Sequence, residues 1–119
     1  MKIREVNENK KQFISLLLLA DEQENMVDRY LEKGTMYVFE DNDVKAECVV
    51  TDEGNGILEI KNIAVDPENQ GKGYGKALIM RSFLHVRYFQ LKYSMRLLSQ
   101  HLQSEHPCKL LQISQRTYL

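Results

Sequence analysis

Residues Ile57–Ile79 read ILEIKNIAVDPENQGKGYGKALI, which joins an apolar run to a glycine-rich turn and the start of a helix. The run 57–65 has the length and the β-branched content of a central strand. Pro67 ends it, because proline has no N–H to give to a neighbouring strand. A strand, a glycine turn and a helix in this order direct backbone N–H groups towards one point. The stretch therefore predicts an anion site.

The turn carries three of the six glycines of the chain, at alternate positions Gly71, Gly73 and Gly75. Glycine lets the backbone approach a ligand closely, and the following helix N-terminus adds about half a positive charge. The turn is not a Walker loop, because no Gly-Lys-Ser/Thr closes it. Its spacing also differs from the G-x-G-x-x-G dinucleotide fingerprint. The alternative without a ligand is a plain glycine-rich turn between a strand and a helix.

Gln70, Gly73 and Gly75, preceded by a strand that ends in Ala-Val-Asp-Pro, resemble the Gln/Arg-x-x-Gly-x-Gly/Ala acyl-CoA signature of the GCN5-related N-acetyltransferases (GNAT family). The resemblance covers residues 1 to about 80. It implies an α/β (α+β) acyl-CoA N-acyltransferase fold, with a mixed, mostly antiparallel sheet flanked by helices. It also implies transfer of an acetyl group from acetyl-CoA to a primary amine of a small-molecule or peptide acceptor.

The resemblance further implies which groups hold the co-substrate. Backbone groups of the fourth strand, at Ile63, Ala64 and Val65, would pair with the pantetheine arm as an added strand does. The turn would bind the pyrophosphate, with Lys72 and Lys76 either adding charge at its rim or simply solvated. The residues expected to bind the cofactor in this turn are Gln70, Gly71, Lys72, Gly73, Tyr74, Gly75 and Lys76.

A catalytic base is needed because a primary amine with a pKa near 10 is mostly protonated at pH 7. Glu59 is the candidate, since it lies in an otherwise apolar strand; the alternative is an ordinary solvent-facing residue. The tail tyrosines Tyr88, Tyr93 and Tyr118 match no family motif for the acid. Cys48 is expected to be buried in a strand, with no nearby histidine to activate it. The histidines lack metal-ligand spacing, so no metal is expected.

The length of 119 residues predicts a single domain, and the net charge of −1 gives no general attraction to nucleic acid or to an anionic membrane. Two cysteines without a disulfide framework, and the lack of a signal peptide or a long apolar run, favour a cytoplasmic protein. Hydrophobic periodicity predicts an order of strand, two helices, three strands and a helix. The predicted features are a strand at Lys2–Val6, a helix capped by Asn7 or Asn9 and running to about Ala20, a second helix from Asp21 with Gly34 at its C′ position, and strands at Thr35–Glu40 and Val44–Thr51.

The composition changes after Ile79. Residues 1–79 hold 16 of the 17 acidic residues, and all three histidines lie in residues 80–119, so the body carries −6 and the tail +5. The fifth strand and the acid tyrosine of the family are not readable there. We expect an atypical, mostly helical tail that replaces the family C-terminus, for example through a shifted reading frame.

Two other functions stay open at this point. An acyl-CoA-binding protein without turnover would fit an intact glycine turn combined with a missing acid and a missing fifth strand. A non-catalytic assembly or remnant protein would fit an uncovered fourth strand, since an open strand edge tends to pair with another chain. That edge is the reason to expect a possible homodimer.

Overall fold

The computed structural model describes residues 1–55, 57–82, 84, 111–113 and 117–118. The predicted order of strand, two helices, three strands and helix is confirmed. In chain order the elements are β1 (Lys2–Val6), a 3-10 turn (Lys10–Phe13), α1 (Ile14–Ala20), α2 (Glu24–Leu31), β2 (Thr35–Asp41), β3 (Asp43–Gly54), β4 (Ile57–Val65), a second 3-10 turn (Pro67–Asn69), α3 (described at residues 74–82 and 84), β5 (Leu111–Ile113) and β6 (Thr117–Tyr118).

The sheet has the order β1-β2-β3-β4-β5, with the first four strands antiparallel. Alternating residues of these strands enter two cores on opposite faces, as the pleat requires. Cys48 packs on the α3 face with Leu78, whereas its neighbour Val49 packs on the other face with Leu17 of α1 and Val27 of α2. The sheet therefore separates α1 and α2 from α3.

A β-bulge interrupts β4 at Lys61. Val49 of β3 lies opposite Asn62 while Val50 lies opposite Ile60, so Lys61 is the extra residue. The bulge shifts the alternation of side chains in the second half of the strand. Asn62 consequently points towards α1 and α2, where its side chain is fully buried.

The start of α1 differs from the prediction. The chain enters the helix through the 3-10 turn, and Asn9 has a left-handed backbone (φ 52°) with no capping bond from its side chain. Asparagine tolerates this conformation better than most residues, which favours a turn at this position over a side-chain cap. Asp21 ends α1 at its C-terminus, and α2 begins only at Glu24.

Gly34 does not have the left-handed backbone predicted for a C′ glycine. A Cβ at this position would lie 2.7 Å from Val49 Cγ1 and 2.9 Å from the carbonyl oxygen of Tyr30. Glycine is therefore required by the close approach of the α2 end to β3. The neighbouring carbonyls are bound by Lys10, whose Nζ donates to the oxygens of Leu31 (2.9 Å), Glu32 (3.3 Å) and Gly34 (2.7 Å).

The expectation that no strand follows β4 is wrong. β5 pairs in parallel with Leu58–Ile60, and β6 pairs in parallel with Ile63 and Ala64. These segments cover backbone groups of β4 that would otherwise lie unpaired at its edge. Strands of three and two residues are too short to show a period in the sequence. Most of the predicted tail helix lies outside the described residues. The part of it that is described, residues 80–82 and 84, is helical.

Candidate functional site

The chain leaves β4 through a hydrogen-bonded turn. The N–H of Asp66 donates to the carbonyl of Lys45 (2.8 Å), and the Asp66 carboxylate accepts the N–H of Glu68 (3.0 Å). Gln70 Nε2 donates to the carbonyl oxygen of Val65 at 3.4 Å. These bonds fix the direction of the chain between β4 and the glycine turn.

Residues 70–76 form what we call the glycine cradle. Gly71 and Gly73 have φ angles of 82° and 88°, in the left-handed region, and a Cβ on either would meet no atom within 4 Å. The backbone conformation, and not crowding, thus requires glycine here, and the space above both residues is open. The N–H of Ala77 bonds the carbonyl of Gly73 (3.0 Å), so α3 begins there and its first-turn N–H groups have no acceptor within the helix.

The cradle is anchored to β2 by its tyrosine. The Tyr74 ring stacks on Phe39 with centroids 4.2 Å apart and an angle of 21° between the planes. Its hydroxyl donates to Asp41 Oδ2 at 3.2 Å, and desolvation together with this carboxylate raises the pKa of Tyr74. Further along α3, the guanidinium of Arg81 lies 4.8 Å from the ring centroid of Tyr37. The N-terminus of α3 is therefore held in a fixed position over the sheet.

The two lysines of the cradle, Lys72 and Lys76, are both exposed. Lys72 Nζ donates to Asn69 Oδ1 at 3.1 Å, which keeps that ammonium group near the turn. Lys76 is exposed on the first turn of α3. Neither lysine is part of a buried site.

The edge of β4 that was expected to bind a pantetheine arm is partly covered. Ile63 and Ala64 pair with β3 on one side and lie opposite Thr117 and Tyr118 of β6 on the other. The described residues of β6, Thr117 and Tyr118, account for the edge at Ile63 and Ala64. The cradle and this edge are adjacent, since Val65 is the last residue of β4.

Glu59, the expected base, is half-buried in β4, with its side chain 18% exposed. It lies two residues before the bulge and opposite Thr51 of β3. Lys61 Nζ lies 3.4 Å from Glu59 Oε1 and 3.7 Å from Glu53 Oε2. The carboxylate is therefore not a fully solvated surface group, because it is partly buried and held by an ion pair.

Beneath α1 and α2 lies a buried polar chain that the sequence analysis missed. Asn62 Nδ2 donates to the carbonyl of Leu17 (3.1 Å) and to the hydroxyl of Tyr30 (3.0 Å), which in turn donates to Asp21 Oδ2 (3.2 Å). Burial, more than the nearby carboxylates, raises the pKa of Tyr30 to about 12. The sequence feature that could have revealed this chain is an asparagine, Asn62, inside the apolar run of β4. The bulge determines which face of the sheet its side chain lies on.

Glu47 was also missed. Its side chain is fully buried in β3, and neither carboxyl oxygen has a hydrogen-bond partner among the described residues. Burial raises its pKa well above 4.5, because a charge is costly in an apolar core. The sequence feature that could have predicted this burial is a single acidic residue between Ala46 and Cys48, both of which are also fully buried.

Cys48 is buried, as predicted, with its Sγ 3.7 Å from Ser82 Oγ. Burial raises the pKa of the thiol to about 12, which makes it a poor nucleophile. Tyr88, Tyr93 and the histidines lie outside the described residues, while the backbone of Tyr118 lies in β6. Within the described ranges, no three His, Cys, Asp or Glu side chains are grouped to hold a metal ion. No helix of this part is long and apolar enough to cross a membrane.

A cavity of about 330 Å³ lies between α1 and the ends of β3 and β4. Leu16 and Leu19 of α1 contribute to it, while Leu17 between them is fully buried. α1 contains four consecutive leucines at 16–19, more than one buried stripe needs, and two of them line this cavity. The lining residues are Gln12, Phe13, Ser15, Leu16, Leu19, Val44, Asp66 and Pro67.

Residues 32–111 match the family model described as an acetyltransferase (GNAT) domain, which is more than half of the chain. The chain belongs to the GNAT acetyltransferase family. A search of curated proteins finds the uncharacterized N-acetyltransferase YvbK of Bacillus subtilis (strain 168), 36% identical over 74 residues. This alignment covers 61% of the chain and 48% of that protein, so the chain spans about half the length of this GNAT relative.

Solved structures agree with this assignment. An IAA acetyltransferase from Bacillus cereus ATCC 14579 is 32% identical, with a TM-score of 0.68, over 75% of this chain and 59% of its own. A GNAT acetyltransferase from Elizabethkingia anophelis, solved with acetyl-CoA bound, is 30% identical with a TM-score of 0.68 over 73% and 57%. A Bacillus subtilis acetyltransferase in complex with CoA is 31% identical with a TM-score of 0.68 over 74% and 59%. The predicted GNAT-like fold of mixed, mostly antiparallel sheet is thereby confirmed.

Proposed function

We propose that this protein is an N-acetyltransferase that binds acetyl-CoA at the glycine cradle and transfers the acetyl group to a primary amine. The observation that carries the proposal is the backbone of Gly71 and Gly73, left-handed and open above, between the end of β4 and the N-terminus of α3. Two solved relatives bind acetyl-CoA or CoA, which supports the choice of co-substrate.

The cradle, residues 70–76, holds the pyrophosphate in this proposal. The first-turn N–H groups of α3 have no acceptor within the helix, and the helix dipole favours an anion at this end. Lys72 and Lys76 add positive charge at the rim. Backbone groups of Ile63, Ala64 and Val65 hold the pantetheine arm along the edge of β4. Gln70 and Tyr74 keep the cradle in place through Val65 and Asp41.

The chemistry needs few side chains, because the thioester is already reactive and the protein chiefly positions it. In this proposal Glu59 takes a proton from the amine, directly or through one water. The amine nitrogen then attacks the thioester carbonyl, the carbon–sulfur bond breaks, and an amide forms as the nitrogen releases its second proton to solvent, to which Glu59 also returns the first. The departing thiolate takes up a proton from solvent to give free CoA. The acceptor is a small-molecule or peptide amine.

Release of the CoA thiol with a panel of primary amines tests this proposal. Glu59→Gln should lower kcat by about 100-fold or more, the usual scale for a lost general base. The matched control is Glu53→Gln, which removes the other carboxylate near Lys61 and should leave kcat close to the parent value. Equal rates for both variants would reject Glu59 as the base. Binding of acetyl-CoA without thiol release for any amine would instead favour an acyl-CoA-binding protein without turnover.

The cytoplasmic location and a possible homodimer stay predictions from the sequence. Coverage of much of the β4 edge by β5 and β6 removes the uncovered strand on which the homodimer argument rested. Sedimentation of the protein at high concentration would test the dimer directly.

A further inference from the structure

We infer that β6 is an intramolecular competitor of acyl-CoA, because it pairs with the part of β4 that the pantetheine arm needs. This inference rests on the proposed function, since it takes the edge at Ile63, Ala64 and Val65 as the binding edge. Thr117 lies opposite Ile63 and Tyr118 lies opposite Ala64 in a parallel register. Two of the three expected binding residues are therefore already in a β-ladder.

The two occupants exclude one another on geometric grounds. Each backbone N–H and C=O at the edge of a strand points to one neighbour, and paired strands lie only about 4.8 Å apart. A pantetheine arm that runs along this edge needs the same groups and the same space as β6. Ile63 and Ala64 are fully buried and bonded to β3 on their other side, so β4 has no second free edge to offer.

The register shows where exchange of the two occupants can begin. The ladder at Ile63 and Ala64 lies at the C-terminal end of β4, close to the turn that leads to the cradle. The cradle itself is open above Gly71 and Gly73. An acyl-CoA molecule can therefore place its pyrophosphate on the cradle first, after which the arm replaces β6 along β4, starting from the end nearer the cradle.

β5 is not part of this competition. It pairs with Leu58–Ile60, on the other side of the bulge at Lys61 from β6. Departure of β6 therefore leaves the β4–β5 ladder intact. The inferred bound state retains five strands and replaces only the ladder at Ile63 and Ala64.

Calorimetric titration with CoA, on the full chain and on a chain that ends at Ile113, tests the inference. The matched control ends at Tyr118 and lacks only Leu119. We expect the chain ending at Ile113 to bind CoA roughly tenfold more tightly than the other two. A tenfold change corresponds to about 1.4 kcal/mol, the net value of one or two backbone hydrogen bonds. If this truncation does not fold, Thr117→Pro in the full chain replaces it, because proline cannot donate to the ladder.

Hydrogen exchange provides a readout that does not depend on activity. In the full chain, saturation with CoA should increase exchange at the amides of Thr117 and Tyr118 and decrease exchange at residues 71–76. Equal affinities for all three chains, or weaker binding by the chain ending at Ile113, would overturn the inference and leave the proposed function standing. Absence of CoA binding in every chain would reject the proposed function, and the inference with it.

Discussion

The ring of Tyr74 lies on the ring of Phe39, with centroids 4.2 Å apart, and this stack joins the first residue of α3 to the middle of β2. The hydroxyl of the same tyrosine bonds Asp41. An anion site built from backbone N–H groups depends on their fixed direction. The geometry of the cradle therefore depends on Phe39 of β2, a residue far from the cradle in the sequence.

The first prediction separates the stack from the hydrogen bond. Tyr74→Phe keeps the stack and should change the free energy of unfolding by about 1 kcal/mol or less. Tyr74→Ala removes the ring and should cost about 2–3 kcal/mol, with a clear loss of CoA affinity. Urea denaturation and a CoA titration of both variants measure these effects. Unchanged CoA affinity in Tyr74→Ala would show that the stack does not position the cradle.

The second prediction concerns pH and Glu47. Burial raises the pKa of Glu47 in the folded protein above its value of about 4.5 in the unfolded chain. The contribution of Glu47 to the free energy of unfolding is therefore fully present below pH 4.5 and is lost as the pH rises towards the pKa of the folded protein. Glu47→Gln has no charge to bury, so the variant should gain stability relative to the parent above pH 4.5. The gain should approach about 1.4 kcal/mol per pH unit. Denaturation at pH 5, 6.5 and 8 measures it, and a difference that does not vary with pH would contradict the burial of Glu47.

The third prediction compares neighbouring lysines. Lys10 is buried and binds three carbonyl oxygens at the end of α2, so Lys10→Met should cost about 1–3 kcal/mol of stability. Lys11 pairs with Glu24 and Asp28 at an exposed position, where ion pairs contribute little. Lys11→Met is thus the matched control. Similar unfolding free energies for the two variants would argue against capping of α2 by Lys10.

The fourth prediction uses the thiol of Cys48. In a Cys108→Ser background it is the single thiol of the chain. Because it is fully buried and its pKa is raised to about 12, a thiol reagent at pH 8 should modify it only when the protein unfolds. Labelling rates measured across a urea series should follow the unfolded fraction. Rapid labelling in native buffer would contradict the packing of β3 against α3.

The sequence predicted β4 and the glycine turn because both signals are local. A β-branched run reveals a strand, and alternate glycines before a helix reveal an open turn. The bulge at Lys61 was not predictable, because one extra residue in a ladder leaves no period of its own. Its effect is large, since it directs Asn62 towards α1 and α2.

Long-range contacts account for the other differences. Gly34 is required by its distance to Val49, which no local pattern encodes. Lys10 caps a helix that ends 21 residues later, and a buried lysine resembles an exposed one in the sequence. β6 is a two-residue strand whose pairing depends on an available edge of β4. In each case the partner is far away along the chain.

The most direct test of the account is a calorimetric titration of the full chain with acetyl-CoA, beside Gly73→Asp and Gly54→Asp. Gly54 is a matched control, since it too has a left-handed backbone (φ 87°) and open space where a side chain would be added, but lies at the end of β3. We predict a Kd of roughly 10–100 µM for the parent and for Gly54→Asp, and no detectable binding for Gly73→Asp. Equal binding by all three proteins, or none by the parent, would contradict the glycine cradle as the acetyl-CoA site.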